Sequence, residues 1–301
     1  MKLKRTATGK TAYLFGNGIN RRPDLPEGDR YEWGNLLQNL NTQFIDGEIR
    51  NLNLPDEDWM FKKEFPFVYD EIVNRANDNE RAIKEYIQEG ISQLIPNNRY
   101  LDFSNLRCDE ILTTNYDYLF ERQLDQNWIR GPFARTDQSL YSLYRNHIAN
   151  SKRIWHIHGE QDKRNSILLG FKHYVDYSSK VKERAQKCSN EIYNDLYDGP
   201  KSWVDCFLTH DVNLVGIGMK FSEYPLWWLL AYRFYKSQQT KLKINNEIRF
   251  VIQESSLNEN VNVIDAMKAY GVKILPIPSI DYNDFYKKVL NNELDDHYNN
   301  D

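Results

Sequence analysis

The sequence predicts an α/β fold: a Rossmann-like parallel sheet with helices on both faces and an inserted helical lobe. Short apolar segments alternate with amphipathic ones, a pattern typical of β–α units around a parallel sheet. Four apolar segments end in glycine-rich or polar tripeptides, and open α/β sheets bind ligands at such strand ends. A stretch with only helical periodicity separates the first two strands, and its length exceeds a simple crossover.

The elements follow one another in this order. The predicted strands span residues 11–19, 109–114, 153–158, 212–218, 248–253 and 272–277. The predicted helices span residues 31–44, 65–76, 80–94, 118–124, 171 to about 198, 225–235 and 261–270. We therefore expect a single domain over residues 1–290, with a helical lobe at about 30–100, a helical insert at about 171–210 and an acidic tail at 291–301.

Composition excludes several classes of protein. The net charge of −4 and the scattered basic residues argue against a dedicated nucleic-acid binder. Three cysteines without a CxxC pair predict free thiols in a reducing compartment. No apolar run has the length of a signal peptide or a membrane span, so we expect a soluble cytoplasmic protein.

The first strand ends in a glycine-rich turn that contains Gly16, Asn17, Gly18 and Asn20. Glycines here let the backbone approach a diphosphate and offer free N–H groups as donors. The alternative is a tight turn without a ligand, since the third glycine of the dinucleotide fingerprint is missing. The turn by itself therefore fits a cofactor site and an unliganded turn equally well.

Thr114, Asn115 and Asp117 follow the second strand. Asn115 is expected to be buried near the sheet edge, where its amide can contact a ligand. Asp117 is a candidate for the same site, but short polar side chains also cap helices, and Asp117 could be the N-cap of the following helix.

His156 and His158 are expected to lie on the same side of the third strand, because side chains alternate along an extended chain. A pair of this kind can begin a metal site, but the other histidines lack ligand spacing, so we expect no metal. His156 fits a hydrogen-bonded structural histidine. His158 precedes Gly159 and is better placed for the cleft.

The later strands add further candidates. Gly216 and Gly218 repeat the glycine-rich turn and suit a second phosphate or ribose contact. Glu254 follows the strand 248–253 and could accept hydrogen bonds from a ribose hydroxyl, or be an exposed loop residue.

Taken in order, these motifs resemble those of the sirtuin (silent information regulator two) superfamily. The similar segments are Phe15–Asn20, Thr114–Asp117, His158–Gly159, Gly216–Gly218 and, weakly, Pro23–Asp24. Residues 160–212 depart from the protein deacylases, because they contain two cysteines instead of the two pairs of the zinc module. The chain looks more like bacterial sirtuin-like proteins that hydrolyse NAD⁺ in antiphage defence.

This resemblance implies an NAD⁺ glycohydrolase that releases nicotinamide and ADP-ribose without a metal. It implies that Asn115 holds the ribose or positions water, that His158 acts as a base, and that Asp117 stabilises the charge or the loop. The glycine turns, Asn17, Asn20, Thr114 and Glu254 would bind the rest of NAD⁺. A non-catalytic NAD⁺ or ADP-ribose sensor and an NAD⁺-dependent deacylase or ADP-ribosyltransferase remain alternatives.

An unregulated NADase would harm its own cell. We therefore expect gating by homo-oligomerisation or by a separately encoded sensor protein.

Overall fold

A computed structural model describes residues 4–5, 9–21, 33–45, 64–77, 79–131, 140–239 and 242–294. The resemblance at Pro23–Asp24 and the end of the predicted tail lie outside these residues. Within the described part of the chain, no helix combines the length and apolar character needed to cross a membrane.

Two strands come first among the described elements, three helices follow, and the later strands and helices are interspersed along the chain. The strands are β1 (Lys4–Arg5), β2 (Thr11–Phe15), β3 (Glu110–Thr113), β4 (Ile129–Arg130), β5 (Asn146–Ala149), β6 (Lys152–His156), β7 (Asp211–Val215), β8 (Leu242–Lys243), β9 (Ile248–Gln253) and β10 (Lys273–Ile277). The helices are α1 (Trp33–Phe44), α2 (Phe65–Arg75), α3 (Glu80–Ser92), α4 (Leu119–Leu124), α5 (Phe171–Tyr193), α6 (Trp203–Thr209), α7 (Tyr224–Ser237), α8 (Val261–Ala269) and α9 (Tyr282–Leu290).

The main sheet has the order β10-β9-β7-β2-β3-β6-β5-β4. The six strands from β10 to β6 are parallel, and the chain builds outward from β2 to β3 and β6 before it returns to β7. This is the strand order of a Rossmann fold, with its topological switch between β2 and β7. The predicted fold class is therefore confirmed. β5 and β4 extend the sheet in antiparallel pairing, which the sequence analysis missed.

Both faces of the parallel sheet are buried, because its side chains alternate between two apolar clusters. Leu14, Leu112 and Trp155 belong to the cluster that contains α5, α6 and α7. Phe15 and Ile111 belong to the cluster that contains α9. A third cluster unites α1, α2 and α3, the helices that separate β2 from β3 in the chain.

Several strands end earlier than the sequence predicted. β2 ends at Phe15 and gives way to a 3₁₀ turn over Asn17–Ile19. β7 ends at Val215, because Gly216 adopts a positive φ of 62° that a strand cannot contain. These early ends bring polar residues to the carboxyl edge of the sheet.

Candidate functional site

A cavity of about 350 Å³ opens at the carboxyl ends of β2 and β3, beneath α1 and α3. It lies at the edge where open α/β sheets bind their ligands. Its lining is formed by Asn17, Asn20, Leu36, Asn39, Tyr86, Ile87, Glu89, Gly90, Ile91, Gln93, Leu94, Asn115, Tyr116 and Asp117. The structure thus unites four of the predicted site residues, from the turns after β2 and β3, in one cavity.

The side chain of Asn115 lines this cavity and is both buried and unpaired among the described residues. It is 3% exposed, yet neither its Oδ1 nor its Nδ2 atom has a hydrogen-bond partner among the described residues. Its backbone is fixed: the N–H donates to Thr113 Oγ1 at 2.9 Å, and the carbonyl oxygen lies 3.1 Å from Nδ1 of His156. Buried amides are normally paired, so an unpaired one at a cavity wall is suited to bind a polar ligand.

Asp117 lines the same cavity and is held on both carboxylate oxygens. Oδ1 accepts the N–H of Leu119 at 3.0 Å, and Oδ2 accepts Nδ2 of Asn20 at 2.9 Å. Burial raises the pKa of Asp117, while these two hydrogen bonds oppose the rise. Asp117 is therefore not the N-cap of α4, which is Tyr118, but it bonds the first residue of that helix and ties the β3 turn to the β2 turn.

The glycine-rich turns after β2 and β7 pack against each other. The N–H groups of Gly16 and Gly18 donate to the carbonyl oxygens of Val215 and Gly216, at 3.0 and 2.9 Å. The expectation that these groups are free donors was wrong, because the neighbouring strand uses them. A Cβ at Gly16 would lie 2.5 Å from the Gly216 oxygen, so close backbone packing requires glycine there.

Other predicted residues lie outside the lining of the cavity. Thr114 is buried, and its N–H donates to the Phe15 carbonyl at 3.1 Å. Gly218 is exposed in the loop after β7. Glu254 is exposed at the start of a 3₁₀ turn that follows β9, two strands away from β2.

His158 lies outside the described lining and faces a carboxylate instead. It is 2% exposed, and its Nε2 lies 3.2 Å from Oε2 of Glu223, at the start of α7. Neither atom completes a hydrogen bond within the described part of the chain. Because β6 ends at His156, strand alternation does not extend to His158, and the two histidines meet different carboxylates.

His156 is a hydrogen-bonded structural histidine, as the sequence indicated. Its Nε2 lies 2.7 Å from Oε1 of Glu121, an oxygen that also contacts His147 Nδ1 at 2.7 Å. These three residues are a possible metal-binding group among the described residues, with ligand atoms within 4.8 Å of one another. Hence the expectation that the chain needs no metal stays a prediction.

Sequence analysis missed several residues that build the site. Tyr100 donates its hydroxyl to Oδ1 of Asn20, and Arg99 donates to the Gly18 carbonyl at 3.0 Å. Tyr86, Glu89 and Gln93 line the cavity from α3 and the residue after it. Their spacing places them on one helix face and was the available signal. No local pattern marks Glu223.

Comparison with known proteins adds one finding. Residues 109–221 match the family model of the SIR2-like domain, and this confirms the predicted resemblance to the sirtuin-like superfamily. SIR2-like domains use NAD⁺ as a substrate, so the match supports an NAD-related function. The matched segment contains Asn115, Asp117 and His158, whereas the turn at Gly16–Asn20 precedes it. No curated protein matches the chain.

Proposed function

We propose that the protein is an NAD⁺ glycohydrolase. The match of residues 109–221 to the SIR2-like domain supports this proposal. The reaction breaks the bond between nicotinamide N1 and ribose C1, and the bonding electrons leave with neutral nicotinamide. Water then bonds to C1 and gives ADP-ribose and a proton. The observation that supports this best is the unpaired, buried amide of Asn115 at the wall of the cavity.

Asn115 would act on the nicotinamide ribose. An amide offers both a donor and an acceptor, and it can therefore hold a ribose hydroxyl or orient the attacking water. Its side chain makes no competing bond to the described residues, so it is available to a ligand.

Asp117 would stabilise the positive charge that develops on the ribose ring. The N–H donors of Leu119 and Asn20 keep its carboxyl group fixed and favour the ionised form against the burial that raises its pKa. A fixed anion needs no reorganisation when the charge develops.

His158 would accept the proton from a ribose hydroxyl or from water. A histidine can exchange a proton near neutral pH. If Nε2–H points at Glu223 Oε2, 3.2 Å away, Nδ1 is left as the basic nitrogen. The ribose must then reach His158 from the cavity.

The remaining predicted residues would bind the rest of the dinucleotide. Asn17 and Asn20 line the cavity directly. We propose that the diphosphate binds beside the two turns that contain Gly16, Gly18, Gly216 and Gly218, while Thr114 and Glu254 contact the ribose or adenosine half. Cys188 and Cys206 lie in the helices α5 and α6 as free, buried thiols, where the protein deacylases have the two cysteine pairs of a zinc module. This difference favours hydrolysis over deacylation.

We also propose that the activity serves antiphage defence and that oligomerisation or a sensor protein gates it. Loss of NAD⁺ would stop the metabolism of an infected cell. Such an activity must be silent at rest, and the burial of His158 against Glu223 is consistent with a resting state.

A second candidate is a sensor that binds NAD⁺ or ADP-ribose without cleaving it. This candidate is favoured because His158 is not among the described residues that line the cavity. A sensor would keep the cavity and the glycine turns but would not need His158.

One experiment tests the proposal and separates the two candidates. Purified protein is incubated with NAD⁺, nicotinamide is measured by chromatography, and NAD⁺ binding is measured by calorimetry, for wild type, His158→Ala and Asn115→Ala. Glycohydrolase activity predicts release by wild type and a loss of about 10²-fold or more in each variant. Binding without release, even after oligomers are enriched, would favour the sensor. Equal release by all three proteins would contradict the proposed roles.

Glu223→Gln examines the histidine separately. If Glu223 orients His158, the variant lowers kcat by about 10-fold and leaves KM nearly unchanged. A higher kcat would show instead that the carboxylate restrains His158.

A further inference from the structure

A buried charged cluster lies directly behind the Asn115 turn. It consists of Glu121 on α4, His156 at the end of β6, His147 on β5, and Glu160. All four are at most 1% exposed. Glu121 Oε1 lies 2.7 Å from both His156 Nε2 and His147 Nδ1. Buried charges are retained only where they are paired, and each carboxylate here lies within ion-pair distance of a histidine, although Glu121 Oε2 and His147 Nε2 have no hydrogen-bond partner among the described residues.

The cluster reaches the site through one hydrogen bond. Nδ1 of His156 lies 3.1 Å from the carbonyl oxygen of Asn115, which can only accept, so Nδ1 must donate. Nε2 of the same ring faces the Glu121 carboxylate. His156 thus connects a fixed carboxylate to the peptide group of Asn115.

The charge state of Glu121 strengthens this connection. Burial raises the pKa of Glu121, but attraction to His156 and the hydrogen bonds from His147 and His156 outweigh it and lower the pKa to about 2. An ionised Glu121 accepts a charge-assisted hydrogen bond, which is shorter and stronger than a neutral one.

The far side of the cluster is anchored as well. His147 Nε2 lies 3.0 Å from Glu160 Oε2, and the guanidinium groups of Arg130 and Arg145 approach Glu160 Oε1 at 2.8 and 3.3 Å. Tyr118 also donates its hydroxyl to Glu160 at 3.1 Å. These groups fix Glu160 beside His147, and His147 shares Oε1 of Glu121 with the His156 ring.

A metal ion explains the geometry less well. Ligand atoms bound tetrahedrally to Zn²⁺ at ~2.0–2.1 Å lie about 3.3 Å apart. The 2.7 Å separations here are those of direct hydrogen bonds. We therefore interpret the group as a hydrogen-bonded network.

We propose that Glu121 and His156 are positioning residues that fix the Asn115 peptide and so aim its unpaired amide into the cavity. This role rests on the proposed NAD⁺ cleavage. It follows from a backbone held on both sides: Thr113 Oγ1 accepts the Asn115 N–H, and His156 donates to the Asn115 carbonyl. The side chain is thereby left for the ligand.

Kinetics of matched variants test the proposal. Glu121→Gln keeps the shape of the side chain but removes its charge, and His156→Phe keeps a ring but removes both donors. We expect kcat to fall about 10-fold in the first and about 10²-fold in the second, with KM within about 2-fold of wild type. Asp205→Asn is the control, because Asp205 forms a comparably buried pair with Arg184 at 2.6 Å, and neither residue lines the cavity.

A spectroscopic readout makes the test independent of activity. Asn115–Tyr116 is the only Asn–Tyr peptide in the sequence, so ¹³C-carbonyl asparagine with ¹⁵N-tyrosine yields one HNCO signal that reports the Asn115 carbonyl. We expect Glu121→Gln and His156→Phe to shift its carbon frequency, and Asp205→Asn to leave it unchanged.

The outcomes separate the two proposals. An active wild type whose kcat and signal are unaffected by Glu121→Gln would overturn the positioning role. A wild type without NAD⁺ cleavage would overturn the proposed function, even if the signal shifts. Should His156→Phe fail to fold, as thermal melting would show, Glu121→Gln decides alone. A bound metal found in wild type and lost in Glu121→Gln would also contradict the hydrogen-bonded network.

Discussion

Replacing Asn115 by alanine should damage catalysis while leaving the protein as stable as before, or more stable. The reason is its side chain, which is 3% exposed and makes no hydrogen bond to a described residue. The change to alanine therefore breaks no hydrogen bond within the described structure. It removes a ligand-binding group whose burial is unfavourable in the absence of the ligand.

The magnitude follows from these contacts. A buried, unpaired polar group costs about 1–3 kcal/mol, and alanine removes this penalty together with some favourable packing. We expect a net gain of about 1 kcal/mol in the free energy of unfolding, a rise in Tm of about 1–2 °C for 301 residues. Loss of one group that stabilises the transition state lowers kcat by about 10²–10³-fold.

Thermal melting and nicotinamide release measure both effects on the same samples. Asn213→Ala is the matched control: Asn213 is 1% exposed on β7, its Oδ1 also lacks a partner among the described residues, and it does not line the cavity. The control should resemble Asn115→Ala in stability and wild type in activity. A loss of several kcal/mol of stability in Asn115→Ala, or full activity, would refute the reasoning.

Three further predictions concern the cavity, the glycine turns and the charged cluster. Gly90 lies inside α3 at the cavity wall, and an added Cβ there would meet nothing within 4 Å. Gly90→Ala should therefore stabilise the helix by up to about 1 kcal/mol, whereas the larger side chain of Gly90→Leu should weaken NAD⁺ binding in calorimetry. Wild-type affinity in Gly90→Leu would place the ligand elsewhere. A Cβ at Gly216 would lie 2.1 Å from the Tyr286 hydroxyl. Gly216→Ala should therefore lower the free energy of unfolding by about 2–4 kcal/mol, and adding Tyr286→Phe should recover part of this loss. Thermal melting of the single and the double variant measures both effects. The pKa of Glu121 falls from 4.5 to about 2 on folding, so its contribution to the free energy of unfolding is complete above pH 4.5 and is lost as the pH falls towards 2. Urea titrations should therefore show that the free energy of unfolding depends less on pH in this window for Glu121→Gln than for wild type. An equal dependence in both proteins would contradict the pairing.

The sequence predicted the parallel sheet because its signals are local. Ile248–Gln253 is a segment of strand length with four apolar residues out of six, and its predicted bounds match β9. Trp33–Phe44 and Glu80–Ser92 have the helical period that the sequence showed. The β5–β6 hairpin was missed because Asn146 and His147 are polar residues, and His147 is paired in the interior with Glu121, which is distant in sequence.

The candidate site was predicted in its position but not in its contacts. Asn17, Asn20, Asn115 and Asp117 meet because their strands end at one edge of the sheet, which follows from the parallel topology. The pairing of His158 with Glu223 could not be predicted, since it depends on how the loop after β7 returns to the sheet. The use of Gly16 and Gly18 as donors to the neighbouring turn likewise depends on packing between strands.

The most direct test of the central claim is the fate of the oxygen atom during cleavage. NAD⁺ is incubated with the wild-type protein in H₂¹⁸O, and the products are analysed at once by mass spectrometry. Hydrolysis predicts nicotinamide and ADP-ribose in equal amounts, with one ¹⁸O atom at C1 of the former nicotinamide ribose, and no such product from Asn115→Ala. Nicotinamide release without labelled ADP-ribose, or intact NAD⁺ bound to the protein, would contradict the account.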